Sequence, residues 1–116
     1  MDIYHIWCDL KDGTGDLEFC RNAERYLGNL KDQGNIAGFR IMRRKLGLAP
    51  PTLAEFHLMI EVDGLAQLDQ AFSSVAMRRD PVEEFHHAVN SQVQNLSFAL
   101  YRDFPDSVRE SGGERF

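Results

Sequence analysis

An α+β fold is predicted for this chain: a four-stranded antiparallel sheet with helices on one face. Three observations carry that expectation. Four segments alternate apolar and polar residues with a period of two, as half-buried strands do. Two longer stretches repeat their apolar residues every three or four positions, as amphipathic helices do. The segments run strand, helix, strand, and then strand, helix, strand again. With 116 residues, the chain has the length of one domain. At 43% apolar and 27% charged residues, it can bury a core without a disulfide, a metal or a lipid, which excludes a wholly disordered chain.

Residues 2–10 form the first predicted strand, with Tyr4, Ile6, Cys8 and Leu10 on one face and His5, Trp7 and Asp9 on the other. The cluster Lys11-Asp12-Gly13-Thr14-Gly15-Asp16 reads as a turn, with Thr14 or Asp16 placed to cap the next helix. Leu17, Cys20, Ala23, Leu27 and Leu30, with Tyr26 alongside, predict that helix over 17–32, closed by a left-handed cap at Gly34. Gly28 is costly inside a helix, about 1 kcal/mol against alanine, and is read as a point of close packing on the sheet. In residues 36–45, Ala37, Phe39 and Ile41 oppose Gly38, Arg40, Met42 and Arg44. In residues 54–62, Phe56, Leu58, Ile60 and Val62 oppose Glu55, His57, Met59 and Glu61.

Asp63 is the expected cap of the second helix, whose stripe is Leu65, Leu68, Phe72, Val75 and Ala76. Arg78-Arg79 suits its C-terminus. Asp80-Pro81-Val82-Glu83 reads as a restart, with an Asp cap, Pro in the first position and Glu completing a capping box. Val82, Phe85, His86 and Val89 continue the stripe. The last strand, residues 94–103, sets Leu96, Phe98 and Leu100 against Ser97, Ala99 and Tyr101. Residues 1–105 are thus the domain, and residues 106–116 a polar tail whose Phe116 is its candidate docking point.

Two split βαβ units in one short chain give the ferredoxin-like topology, βαββαβ, with the first and third strands central. One sheet face is then apolar: Ile6, Cys8, Leu10, Phe39, Ile41, Phe56, Leu58, Ile60, Leu96, Phe98 and Leu100, which the helices are expected to cover. The other carries His5, Trp7, Arg40, Met42, His57, Met59 and Tyr101, residue types enriched at protein interfaces, and no Lys. Such a patch is unusual on a small monomer. A two-fold homodimer packed sheet to sheet is the expectation.

On these features the chain resembles the dimeric α/β-barrel superfamily, in which two ferredoxin-like protomers pack sheet to sheet. The opening His5-Ile6-Trp7-Cys8-Asp9-Leu10-Lys11-Asp12-Gly13 is similar to the strand-then-Lys-Asp start of its stress-responsive barrel branch. The segment Asp80-Pro81-Val82-Glu83-Glu84-Phe85 is similar to that branch's x-Pro-x-His element, with Glu83 where its plant polyketide cyclases carry an acid/base histidine. The branch's pocket-facing histidine positions fall on Tyr4 and Leu58, so His5 and His57 lie one residue off, on the opposite face. The resemblance implies cofactor-free proton transfer, cyclisation or oxygenation, with Glu83, His86 or His57 as acid/base. Haem-degrading relatives share the fold, and haem held by a histidine is a weaker reading.

The residues themselves leave several readings open. His5 and His57 are acid/base candidates or hydrogen-bonded members of a polar dimer interface, the preferred role. Glu83 is accounted for by helix capping, and His86 by a place in the apolar stripe. Tyr4, Cys8, Tyr26, Leu58 and Phe72 are candidates to line a cavity for a small apolar ligand between sheet and helices, or are ordinary core. Leu46, Leu48 and Leu53 in a loop with Pro50-Pro51 point to a contact with a partner protomer, or a lid. A non-enzymatic stress-related or assembly dimer is the alternative class.

A net charge of −5 disfavours nucleic-acid partners. No apolar run approaches the roughly 20 residues of a membrane span. The N-terminus lacks signal-peptide features. Cys8 and Cys20 have no zinc-site spacing and are expected as reduced thiols in a cytoplasmic protein. No metal or cofactor is expected, and no phosphate loop, HExxH or GxSxG occurs.

Overall fold

The computed structural model describes residues 1–106; the expected docking through Phe116 lies outside them. Its elements are β1 (Asp2–Leu10), α1 (Asp16–Asp32), β2 (Gly38–Arg43), β3 (Phe56–Val62), α2 (Leu65–Ala76), α3 (Val82–Asn90) and β4 (Val93–Arg102). The strands form one antiparallel sheet in the order β2-β3-β1-β4, with β1 and β3 central. This is the ferredoxin-like α+β fold. A left-handed φ of 51° at Arg78 accompanies the break that separates α2 from α3. The buried carboxylate of Asp2 accepts hydrogen bonds from Arg102 at 2.5 and 3.0 Å, tying the start of β1 to the end of β4. Those bonds hold the Asp2 carboxyl below the usual carboxylate range. Among the described residues, no helix is long and apolar enough to cross a membrane.

Helix α1 differs from the expected stripe. Phe19 is fully buried with Ala23, Leu27 and Leu30, while Leu17 is 69% exposed. At about 100° per residue, Leu17 and Phe19 lie on nearly opposite sides, and the spacing 19, 23, 27, 30 makes the inner stripe. Phe19 meets Phe56 edge-on at 5.1 Å. The Gly34 expectation holds, with φ 77°. Its N–H donates to the Lys31 carbonyl and the Asn35 N–H to that of Leu30, the paired hydrogen bonds that end a helix on a left-handed residue.

The expected side-chain caps do not form. Gly15, Gly64 and Pro81 occupy the N-cap positions of α1, α2 and α3, each without a side-chain cap bond. Asp16 accepts from the Leu17 N–H instead, and the Asp63 N–H donates to the Gln67 side chain. Pro81 already has a near-helical backbone, so Asp80 stands one position too early and the Asp80–Glu83 box is not made. Gly28 is also corrected: a Cβ there meets nothing within 4 Å, so no close packing on the sheet explains it.

The core has two parts. Leu27, Leu30, Ile36, Ile60, Val62, Leu68, Ala71 and Val82 form one, and Cys8, Phe19, Ala23, Phe56, Leu58, Val89 and Val93 the other. Ile6 and Tyr26 pack against both. The helices do not cover the whole apolar face. Leu96, Phe98 and Leu100 on the edge strand β4 remain 42%, 57% and 51% exposed.

Gly28→Ala is expected to stabilise the chain by about 0.5–1 kcal/mol, because it restores helix propensity where space is free. Urea unfolding checks this as a higher midpoint at unchanged slope; a lower midpoint contradicts it.

Candidate functional site

Where the two parts of the core meet, a cavity of about 330 Å³ opens between the sheet and the helices. Tyr4, Ile6 and Cys8 enter it from β1, Leu58 from β3, and Leu96 and Phe98 from β4. Tyr26 and Leu27 come from α1, Phe72, Val75 and Ala76 from α2, and His86, Val89 and Asn90 from α3; Val93 completes the lining. The five residues named from the sequence for this role, Tyr4, Cys8, Tyr26, Leu58 and Phe72, all lie on its wall. Strand alternation explains Tyr4, Cys8 and Leu58: each is an even position on a central strand, turned toward the helices. Phe72, Leu96 and Phe98 are all substantially exposed, so this side of the cavity meets solvent.

Aromatic contacts shape the wall. The Tyr4 ring stands edge-on to Phe72 at 5.4 Å and stacks with Phe98 at 6.0 Å. The Tyr26 ring meets His86 at 5.4 Å. Burial pushes the Tyr26 hydroxyl up to about 12, with Tyr4 adding to the effect. Burial also raises Tyr4, and lifts the Cys8 thiol to about 11. All three groups are therefore protonated and uncharged near neutral pH. The cavity offers an apolar body, neutral hydroxyls, the Asn90 amide and the His86 imidazole.

The three acid/base candidates do not come together. His86 is on the cavity wall, and Glu83 is outside the lining. His57 lies between Phe56 and Leu58, whose side chains are buried in the helix-side core, so its own points to the other face. The lining drawn from the β4 edge is not legible in the sequence: the apolar face of β4 is visible there, but its lack of cover is not. Among the described residues, no three His, Cys, Asp or Glu side chains group to hold a metal.

The second surface is the opposite sheet face. Register sets Met42, His57, Trp7 and Ser97 in one row, and Arg40, Met59, His5 and Ala99 in the next. All seven residues named from the sequence for an interface, including Tyr101, share this face. Trp7 stacks on His57 at 4.5 Å and on His5 at 5.5 Å, and Tyr101 meets His5 edge-on at 5.2 Å. His5 Nδ1 and His57 Nε2 are 2.9 Å apart, one ring donating and the other accepting. Burial holds both histidines below the ordinary value of 6.5, and the His5 charge adds to this at His57.

The sheet order and the helix layer define a ferredoxin-like α+β protein with a cavity between its two layers. Among solved structures it is similar to SnoaB, a cofactor-independent oxygenase from Streptomyces nogalater, at 7% identity and a TM-score of 0.65, covering 93% of this chain and 98% of that one. It is also similar to a dimeric ferredoxin-like protein of unknown function from Jannaschia, at 11% identity and 0.63, covering 89% and 100%. A dabb family protein with a ferredoxin-like fold from Mesorhizobium loti matches at 15% identity and 0.62, covering 89% and 96%. A comparison with curated proteins gives no match. The chain belongs to a family of unknown function, DUF6614, which matches residues 1–116.

For a histidine held low in the folded state, the unfolded chain takes up protons first as pH falls. The pair therefore costs nothing above pH 6.5 and lowers stability progressively below it. The urea midpoint is expected to be lower at pH 5.5 than at pH 7.5, with a smaller drop in His57→Asn. Imidazole titration by NMR checks the origin: His5 or His57 titrating above 6.5 refutes it.

Proposed function

We propose that the protein is a homodimer that binds a small, mostly apolar molecule in the cavity between sheet and helices. The cavity itself carries this reading: about 330 Å³ with a largely apolar wall, reaching solvent beside β4. That volume is at the small end of ligand pockets, about 300–1,000 Å³. The hydroxyls of Tyr4 and Tyr26 and the His86 ring are the groups that would orient a polar substituent of the ligand. His86, on the cavity wall and against Tyr26, is the acid/base residue for cofactor-free cyclisation, isomerisation or oxygenation. Similarity in fold to a cofactor-independent oxygenase supports the class of chemistry. The ring-rich face supports the dimer, as does similarity in fold to a protein described as dimeric. A second reading, a non-enzymatic assembly dimer, is favoured by the investment of Trp7, His5, His57 and Tyr101 in that face rather than in the cavity.

Native mass spectrometry of the purified chain is expected to show a ligand of a few hundred daltons bound once per protomer. Ala76→Phe, which fills the cavity from α2, is expected to abolish that adduct. It is also expected to abolish enhancement of an added anilinonaphthalene sulfonate probe. Absence of both signals from the unaltered chain refutes the reading. With the recovered ligand as substrate, His86→Gln is expected to lower turnover by about 10²–10⁴-fold with binding little changed. Full turnover in that variant removes His86 from the chemistry.

A further inference from the structure

We infer that the loop between β2 and β3, residues 44–55, is an arm that clasps a second copy of this chain. The inference rests on the homodimer reading and specifies which residues secure it.

Leu46 takes a left-handed φ of 56°, followed by Gly47 at 68°. That conformation is unfavourable for a leucine and easy for glycine or asparagine. Leu46 and, two residues on, Leu48 stand 83% and 79% exposed. Within its own protomer, Leu46 thus combines an unfavourable backbone with almost no burial. The loop is held by backbone hydrogen bonds. Leu48 and Leu53 donate backbone hydrogen bonds to Lys45 and Pro50. At its base the Arg44 N–H donates to the Glu55 carbonyl at 2.8 Å, and Arg43 pairs with both Glu55 and Asp16.

The arm adjoins the ring-rich face. Leu48, Pro50 and Leu53 share a hollow of about 250 Å³ with Trp7, Met42 and His57. Arg43, Arg44 and Glu55 also line this hollow, and Leu46 lies two residues before Leu48 on the same loop. The loop is thus continuous with the ring-rich face, so a two-fold partner packed on that face would meet it as well.

Sedimentation equilibrium on the full chain tests this, with Leu46→Asn and Leu46→Gly as variants. Both replacements fit the left-handed backbone and remove the apolar contact, so folding is expected to be retained, as read by circular dichroism. The unaltered chain is expected to dimerise, and each variant to raise the dimer dissociation constant at least tenfold. A dimeric wild type whose variants dimerise within twofold of it overturns the arm and leaves the dimer standing. A wild type that is monomeric at tens of micromolar overturns both.

Discussion

The pleat of β1 sends Tyr4, Ile6 and Cys8 to one side of the sheet and His5 and Trp7 to the other, and both candidate surfaces hang on that alternation. β1 is a central strand, paired residue for residue with β3 from Asp2 to Cys8. A slip of one residue would place imidazoles under the helices and tyrosine and cysteine on the open face. Burial would then penalise every one of them: uncompensated imidazoles in an apolar layer, and apolar surface in water. The closure of the sheet by Asp2 and Arg102 fixes the ends of β1 and β4 in the register that avoids this.

The helix layer is one strand too narrow for its sheet. It covers β2, β3, β1 and Val93 at the start of β4, and leaves Leu96, Phe98 and Leu100 of β4 substantially exposed. Where the cover stops, the two parts of the core do not merge, and Ile6 and Tyr26 bridge them along the edge of a cavity. The cavity is thus a consequence of how the layers match in width, not of a special loop. The hydroxyls of Tyr4 and Tyr26 and the thiol of Cys8 are kept neutral by the same burial that makes the wall apolar.

Much of this is legible in the chain itself. Strand periodicity identifies the faces of β1, β2, β3 and β4, and hence both the cavity-side residues and the interface-like set. The points where pattern and structure part share a cause. Periodicity favours Leu17 over Phe19 and makes Asp63 and Asp80 into caps, because a local pattern states which residues are able to take a role. It does not state which neighbour competes for it. Phe19 gains its place from Phe56 across the core, a contact 37 positions away in the chain.

By itself, the sequence determined the order of elements, the antiparallel ferredoxin-like sheet and the division of side chains between its two faces. These come from period and composition, which are local properties. Only the tertiary structure decided that β4 goes uncovered, that His86 and Tyr26 meet at a cavity while Glu83 stays outside it, and that His5 and His57 share a hydrogen bond. Each of those depends on the distance between elements remote in sequence, and packing of whole layers sets that distance. No spacing along the chain encodes it.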